Sequence, residues 1–158
     1  MMRKNWKSIV FWVILSEAVG LLAGLLTRNA TEIYGQIAAK PPLAPPAWLF
    51  PVVWTILYAL MGIGAGLVAN QVTDESRNRS LNLMVAQLIV NFFWSLIFFN
   101  AQAFGFAFVW LLLLWVLVLL MILTFRKVDP LAAWLQVPYL LWLTFAAYLN
   151  IGVWYLNR

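Results

Sequence analysis

Cysteine and histidine are absent from the 158 residues, and only 9% of the side chains are charged. Their absence excludes disulfides, thiol catalysis, zinc sites built from these residues, and haem with a histidine or cysteine axial ligand. We therefore expect no metal site and no bound cofactor, and no residue stands out as catalytic. The charged fraction is also far below the roughly 25% of an ordinary soluble domain.

The chain is instead strongly apolar, with 65% hydrophobic residues. Lipid can accommodate that much apolar surface and water cannot. Several runs reach the about 20 residues that a helix needs to cross a bilayer, and they are too long and too uniformly apolar for barrel strands. The sequence predicts one all-α integral membrane domain over residues 1–158, a bundle of five transmembrane helices with spans near 9–26, 47–69, 81–100, 104–125 and 131–156.

The basic residues are unevenly distributed about these spans. Seven would lie on one side and three on the other: Arg3, Lys4, Lys7, Arg77, Arg79, Arg126 and Lys127 against Arg28, Lys40 and Arg158. This positive-inside bias predicts a cytoplasmic N-terminus and an external C-terminus, and it makes nucleic acid an unsuitable partner. A cleaved signal peptide is the alternative for the first run, but Glu17 interrupts it and no small-residue cleavage site follows.

Residues 27–46 form the one long connection, whereas the short connections elsewhere predict antiparallel neighbouring helices. Long loops without secondary structure are usually lids or binding loops. The prolines at 41, 42, 45 and 46 stiffen one end of the connection. We predict a lid hinged at its first-helix end, and the alternative is a static surface loop. The predicted lid residues are Tyr34, Ile37, Pro45 and Pro46.

Three spans carry aromatic residues on one helical face, and on two of them polar side chains accompany the aromatic rings. If these faces converge, they line an apolar pocket with a few hydrogen-bonding groups, as ligand sites do. The alternatives are packing within the bundle and, at span ends, an interfacial aromatic belt. For Gln87 and Asn91, bridging between helices is an equal alternative. The predicted ligand-binding residues are Phe50, Trp54, Tyr58, Gln87, Asn91, Trp94, Trp142, Phe145, Ala146 and Leu149.

Glu17 lies in mid-span, where a charged carboxylate is costly. It shares a stripe with Gly20 and Gly24, so we expect this face to meet another helix. Glu17 would then be a protonated side chain bonded to a neighbour or a polar anchor at the ligand cavity. Gly62 and Gly66 form a second such pattern, which fits an intramolecular contact or a dimer face. We see no internal repeat and no pair of discontinuous helices of the kind found in transporters.

Three motifs carry a resemblance to a known family. They are K-P…P-P-x-W-x-F-x-x-V-W-x-x-L-Y-x-x-M-G over 40–62, Q-L-x-x-N-x-x-W-S-x-x-F-F over 87–99, and P-Y-x-x-W-x-x-F-A-x-x-L-N over 138–150. Their order and spacing resemble those of the tryptophan-rich sensory protein/translocator protein family (TspO, the peripheral-type benzodiazepine receptor).

The resemblance implies a five-helix bundle, commonly a homodimer, with a cavity roofed by the first loop. It implies a membrane translocator or sensor that binds hydrophobic ligands, most of all porphyrin-like tetrapyrroles, and also sterols and synthetic drug-like molecules. The alternatives it implies are an enzyme that degrades porphyrins through cavity tryptophans, and a carrier of sterols, lipids or metabolites. By position, cavity residues of the family match Trp54, Asn91, Trp94, Trp142 and Ala146.

The sequence departs from the family pattern at several positions. Ile33 and Leu43 stand where many relatives have aromatic residues in the first loop, and such residues would stack on a porphyrin. Near the C-terminus, Ile151 and Tyr155 stand where the sterol motif of animal relatives has its tyrosine and its basic residue. These departures favour a bacterial-type protein in the cytoplasmic membrane.

Overall fold

The apolar runs fold into helices throughout the part of the chain that the computed structural model describes, residues 6–37 and 39–157 without the side chains of 33, 34, 36 and 37. Five of its helical segments are long and apolar enough to cross a membrane, which confirms the predicted fold class. In chain order the helices are α1 (Trp6–Leu26), α2 (Arg28–Ile37), α3 (Leu49–Ala69), α4 (Glu75–Ser95), α5 (Phe104–Val128), α6 (Pro130–Trp134) and α7 (Val137–Asn157).

The third span begins six residues before its predicted start at residue 81, because its first turn is polar and well capped. The Asp74 carboxylate accepts a hydrogen bond from the backbone N–H of Arg77 at 2.8 Å. Glu75 then pairs with Arg79 one turn later, at 2.8 Å. Both interactions stabilise a helix N-terminus that hydropathy alone does not reveal.

The connection 27–46 was expected to be a loop without secondary structure, but it contains a helix. Helix α2 follows α1 after Thr27 and has a strongly amphipathic sequence. The Thr27 hydroxyl donates to the carbonyl of Ala23 at 2.8 Å, and the Thr31 hydroxyl donates to the carbonyl of Thr27 at 2.8 Å. The prolines keep only the later part of the connection free of helix.

The fifth span is interrupted, although no discontinuous helix was predicted. A turn at Leu135 and Gln136 separates α6 from α7, and Pro138 follows, which lacks the N–H needed to continue a helix. The buried Gln136 amide donates to the carbonyl of Leu60 on α3 at 3.0 Å and lies against Gly64. The third span also ends irregularly, in a π-helix over Leu96–Asn100.

Small residues bring α1 and α3 together. A Cβ atom at Gly62 would collide with the backbone of Val13, and one at Gly66 would collide with that of Ile9. The pattern on α3 therefore makes an intramolecular contact. On α1, Gly20 lies against the Tyr58 ring. Among the described residues, a Cβ atom added at Gly24 would have no atom of another helix within 4 Å. The expectation that both α1 glycines meet another helix is thus wrong for Gly24 in the described structure.

Candidate functional site

An aromatic cluster forms where α3 faces α7. Trp54 is at its centre, with ring centroids 5.6 Å from Tyr58, 6.1 Å from Tyr139 and 6.5 Å from Trp142. Trp142 in turn lies 5.9 Å from Phe50 and 5.6 Å from Phe145. Tilted and edge-on pairs of this kind contribute about 0.5–1.5 kcal/mol beyond their buried area. We refer to these six residues, Phe50, Trp54, Tyr58, Tyr139, Trp142 and Phe145, as the aromatic cluster.

A chain of hydrogen bonds supports the cluster from the α4 side. The Tyr58 hydroxyl donates to Asn91 Oδ1 at 2.9 Å, and Asn91 Nδ2 donates to the Tyr139 hydroxyl at 2.6 Å. The Tyr139 hydroxyl donates to Gln87 Oε1 at 2.7 Å. All four side chains are buried. This tyrosine–amide chain joins α3, α4 and α7 at one level of the bundle.

Trp94 belongs to a neighbouring cluster rather than to the aromatic cluster. Its indole stacks on Phe98 at 5.1 Å, and its N–H donates to Asn150 Oδ1 at 3.1 Å. The Asn150 amide donates to the carbonyl of Phe104 at 2.8 Å, which ties α7 to α5. Of the remaining predicted residues, Ala146 is buried in the main core and Leu149 is half-buried.

The tryptophans differ in how they are held. The indole N–H groups of Trp94, Trp110 and Trp115 each donate a hydrogen bond, to Asn150, to the Val90 carbonyl and to Thr144. Among the described residues, Trp54 and Trp142 are held by ring contacts without a hydrogen bond of their own. Both are half-buried. Their side chains therefore need break no hydrogen bond in order to change rotamer.

A proline segment, residues 39–46, is fastened to the end of α7. Ala39 and the Asn157 side chain exchange two hydrogen bonds, of 2.9 and 2.7 Å. The Tyr148 hydroxyl donates to the carbonyl of Pro42 at 2.6 Å. Gly152 leaves room for the Pro41 ring, which would lie 2.6 Å from a Cβ at that position. This anchoring holds the proline segment beside the outer turns of α7.

The predicted lid residues are only partly described. Tyr34 and Ile37 lie in α2, and their side chains are outside the described part of the structure. Pro45 is half-buried and Pro46 is exposed. The junction between α1 and α2 is held from the π-helix, where the Asn100 amide donates to the carbonyl of Leu26 at 3.1 Å.

Two surface cavities lie outside the aromatic cluster. One, of about 300 Å³, is an apolar groove between α1 and α4. The other, of about 350 Å³, lies between the prolines at 41 and 42 and the outer face of α7. Within the aromatic cluster itself, Trp142 is in contact with both Phe50 and Trp54.

Glu17 lies at the edge of the site. It is half-buried on α1 and makes no hydrogen bond to the described residues. The predicted hydrogen bond to a neighbouring helix is therefore not found there. Across the described residues, no group of three or more acidic side chains could hold a metal ion.

The sequence-based site list omits three residues that the structure brings to the site. Tyr139 was visible in the third motif and lies three residues before Trp142 on the same helical face, which was a usable signal. Tyr148 and Asn157 gave no such signal, because their contacts to the proline segment cross more than a hundred residues, 106 and 118 respectively.

Sequence comparisons find relatives along almost the whole chain. The sequence model described as the TspO/MBR family matches residues 12–156. The chain is 36% identical to a protein named tryptophan-rich protein TspO from Chlorobaculum tepidum, over 99% of both chains. It is 34% identical to the translocator protein of Ovis aries, over 99% of this chain and 94% of that one. It is also 36% identical to the tryptophan-rich sensory protein of Cereibacter sphaeroides, over 99% and 95%.

Proposed function

The chain belongs to the TspO/MBR family, and from that premise we propose that it is a membrane sensor or translocator that binds a flat, hydrophobic, porphyrin-like ligand at the aromatic cluster. The ligand would lie between α3 and α7, beneath the proline segment. Eight of the ten predicted ligand-binding residues remain ligand contacts in this proposal, and Tyr139 is added to them. The other two, Gln87 and Asn91, enter it as the partners that hold Tyr139 and Tyr58.

The observation that carries the proposal is the convergence of aromatic rings in the interior of the bundle. Trp54 on α3 and Trp142 on α7 lie 6.5 Å apart, and each contacts further rings. Large flat ligands bind well to aromatic faces, because stacking and apolar burial both contribute. Without cysteine or histidine, binding rests on these contacts and not on axial ligation of a metal.

A ligand that stacks between Trp54 and Trp142 has to displace at least one of the two rings, since they are already in contact at 6.5 Å. Trp54 and Trp142 are the residues best suited to move, because they are half-buried and make no hydrogen bond to the described residues. Tyr58 and Tyr139 would stay in place as the floor of the site, held by the tyrosine–amide chain.

The experiment is a titration of the purified protein, in lipid nanodiscs, with protoporphyrin IX, followed by quenching of tryptophan fluorescence. We expect Trp142→Ala to weaken binding by about 1–3 kcal/mol, the value for one large buried ring. Trp134→Ala is the matched control, since Trp134 lies on the same span but is 71% exposed. An equal loss in both variants would place the ligand elsewhere.

Porphyrin degradation is the second candidate, and the short separation of Trp54 and Trp142 favours it over other chemistry, because both indoles would adjoin the bound ring. Illumination of the protoporphyrin IX complex distinguishes porphyrin degradation from binding without turnover. A loss of porphyrin absorbance that disappears in Trp54→Phe or Trp142→Phe supports an enzyme. A stable spectrum supports binding without turnover.

The proposal also includes a homodimer, whose interface must use a face other than Gly62 and Gly66, because those glycines already contact α1. The chain contains no cysteine. Single cysteines placed on exposed helix faces therefore allow disulfide trapping in membranes without a background from native thiols. The absence of any trapped dimer across such a scan would argue for a monomer.

A further inference from the structure

We propose that Gln87 and Asn91 are positioning residues, which fix Tyr58 and Tyr139 as the floor of the aromatic site and do not themselves bind the ligand. The inference rests on the proposed function for the ligand, but the hydrogen bonds that carry it are properties of the described structure. From the sequence, the two amides could equally contact a ligand or bridge two helices. The inference assigns both of them to one role.

Two methionine sulfurs set the direction of the tyrosine–amide chain. Gln87 Nε2 lies 3.5 Å from Met61 Sδ and 3.4 Å from Met84 Sδ. A thioether accepts hydrogen bonds and cannot donate one, so the NH₂ group of Gln87 must face the sulfurs. Its carbonyl oxygen then faces Tyr139, which has to be the donor.

The remaining orientations follow from that one. Because the Tyr139 hydroxyl donates to Gln87, its oxygen is left to accept from Asn91 Nδ2. Asn91 Oδ1 must then accept from the hydroxyl of Tyr58. The methionines on α3 and α4 thus determine the hydrogen-bond direction up to the tyrosine beside Trp54.

Neither amide has surface left for a ligand. Gln87 is 0% exposed and Asn91 is 1% exposed, and every nitrogen and oxygen of both side chains already has a partner. The rings that the two amides hold are the ones in contact with Trp54, at 5.6 Å for Tyr58 and 6.1 Å for Tyr139. The amides therefore act on a ligand through the tyrosine rings.

This role has a consequence for ligand selectivity. A carboxylate or carbonyl group on the ligand finds no free amide at Gln87 or Asn91. These two residues then affect the affinity for every flat ligand by the same factor, whatever its polar substituents.

The test compares protoporphyrin IX, which carries carboxylates, with octaethylporphyrin, which carries only alkyl groups. In nanodiscs we expect Asn91→Leu, which removes the hydrogen bonds to both Tyr58 and Tyr139, to raise both dissociation constants by the same factor, about 3- to 10-fold. Tyr139→Phe keeps the ring and removes only the hydroxyl, and we expect a similar factor from it. The double variant should be no weaker than the worse single variant, because both break one chain.

Several results would overturn the proposal. The first is a loss of affinity for protoporphyrin IX alone, and the second is an unchanged affinity in Tyr139→Phe. The third is a double variant in which the dissociation constant rises by the product of the two single factors. Gln87→Leu should lose as much affinity for both porphyrins as Asn91→Leu does.

A measurement without ligand separates this inference from the proposed function. The near-ultraviolet circular dichroism attributable to Trp54, obtained by subtracting the spectrum of Trp54→Phe, reports how firmly that ring is held. It should shrink in Asn91→Leu and Tyr139→Phe while the far-ultraviolet spectrum stays unchanged. Failure of the unmodified protein to bind either porphyrin would refute the proposed ligand class. An undiminished Trp54 signal in both variants would refute the positioning role.

Discussion

At the residue scale, two glycines of similar sequence context have opposite surroundings. Gly62 on α3 lies against the backbone of Val13, so the hydrogen atom in place of a side chain sets the separation of α1 and α3. Gly24 on α1 faces open space. Without a hydrophobic driving force between helices in lipid, such close packing is a main source of association. The contribution of a glycine to helix packing therefore depends on what lies opposite it.

We predict that Gly62→Ala lowers the free energy of unfolding by about 1–3 kcal/mol, because the added methyl group forces two backbones apart. Gly24→Ala, the matched control, should be neutral or stabilising by up to about 1 kcal/mol, the difference in helix propensity. Unfolding by sodium dodecyl sulfate in mixed micelles, followed by circular dichroism, measures both. Equal destabilisation by the two variants would mean that the α1–α3 contact is not as close as described.

At the element scale, the connection between the first two spans combines a helix with an anchored proline segment. The end of α1, from which α2 follows, is bonded to the π-helix through Asn100 and the Leu26 carbonyl. The proline segment is bonded to α7 through Asn157 and Tyr148. The connection is thus held at both ends, and the predicted hinge at its first-helix end has to act against the contact at Asn100.

Asn157→Ala should release the proline segment. It removes both hydrogen bonds to Ala39, and each such bond is worth about 0.5–1.5 kcal/mol. We expect amide exchange at Ala39 to accelerate by about 3- to 10-fold in hydrogen-exchange mass spectrometry. Asn78→Ala, at the opposite end of the bundle, is the control and should leave this peptide unchanged. Identical exchange in both variants would show that Asn157 does not hold the segment.

The lid hypothesis makes a separate prediction. If the connection closes over an occupied site, ligand binding stabilises its closed population and slows amide exchange over residues 30–37. The comparison is between the free protein and its protoporphyrin IX complex at saturation, with the turn 70–74 at the other end of the bundle as internal reference. Unchanged exchange over 30–37 would leave only a static loop.

The sequence predicted helices well where an apolar run is long or where residues recur at helical spacing. The five spans and the facing stripes of α3, α4 and α7 follow from apolar length and helical spacing. It failed for α2, because a polar amphipathic helix and a polar loop have similar compositions. It also failed at Gln136, whose burial depends on Leu60 and Gly64 far along the chain. The ring contacts within the aromatic cluster depend on side-chain rotamers, which the sequence does not reveal.

At the scale of the whole molecule, charge and packing define two different ends. Gly66 near the end of α3 lies against Ile9, and Gln71 bonds to Asp129 at 3.4 Å. The start of α1 and the ends of α3 and α5 therefore lie at the same end of the bundle. Arg77 and Arg79 lie near the start of α4, and Arg126 and Lys127 lie in the last turn of α5. The predicted cytoplasmic side is therefore a single basic end of the bundle.

We predict that a reporter active only outside the cytoplasm will be active when fused after residue 158 and inactive when fused before residue 1. The physical reason is the positive-inside bias of the short loops. The same reporter inserted after Asp74 should be inactive, which controls for expression. Activity of a cytoplasm-only reporter at the C-terminus would reverse the assignment.

The attachment of the proline segment to the end of α7 also bears on the order in which the protein is assembled during synthesis. Ala39 pairs with Asn157, 118 residues later and one position before the end of the chain. At about 5–20 residues per second, the ribosome needs roughly 6–24 s to make that stretch. The first spans are thus in the membrane well before the residue that fastens their connection exists, and the proline segment is anchored only after α7 has been translated.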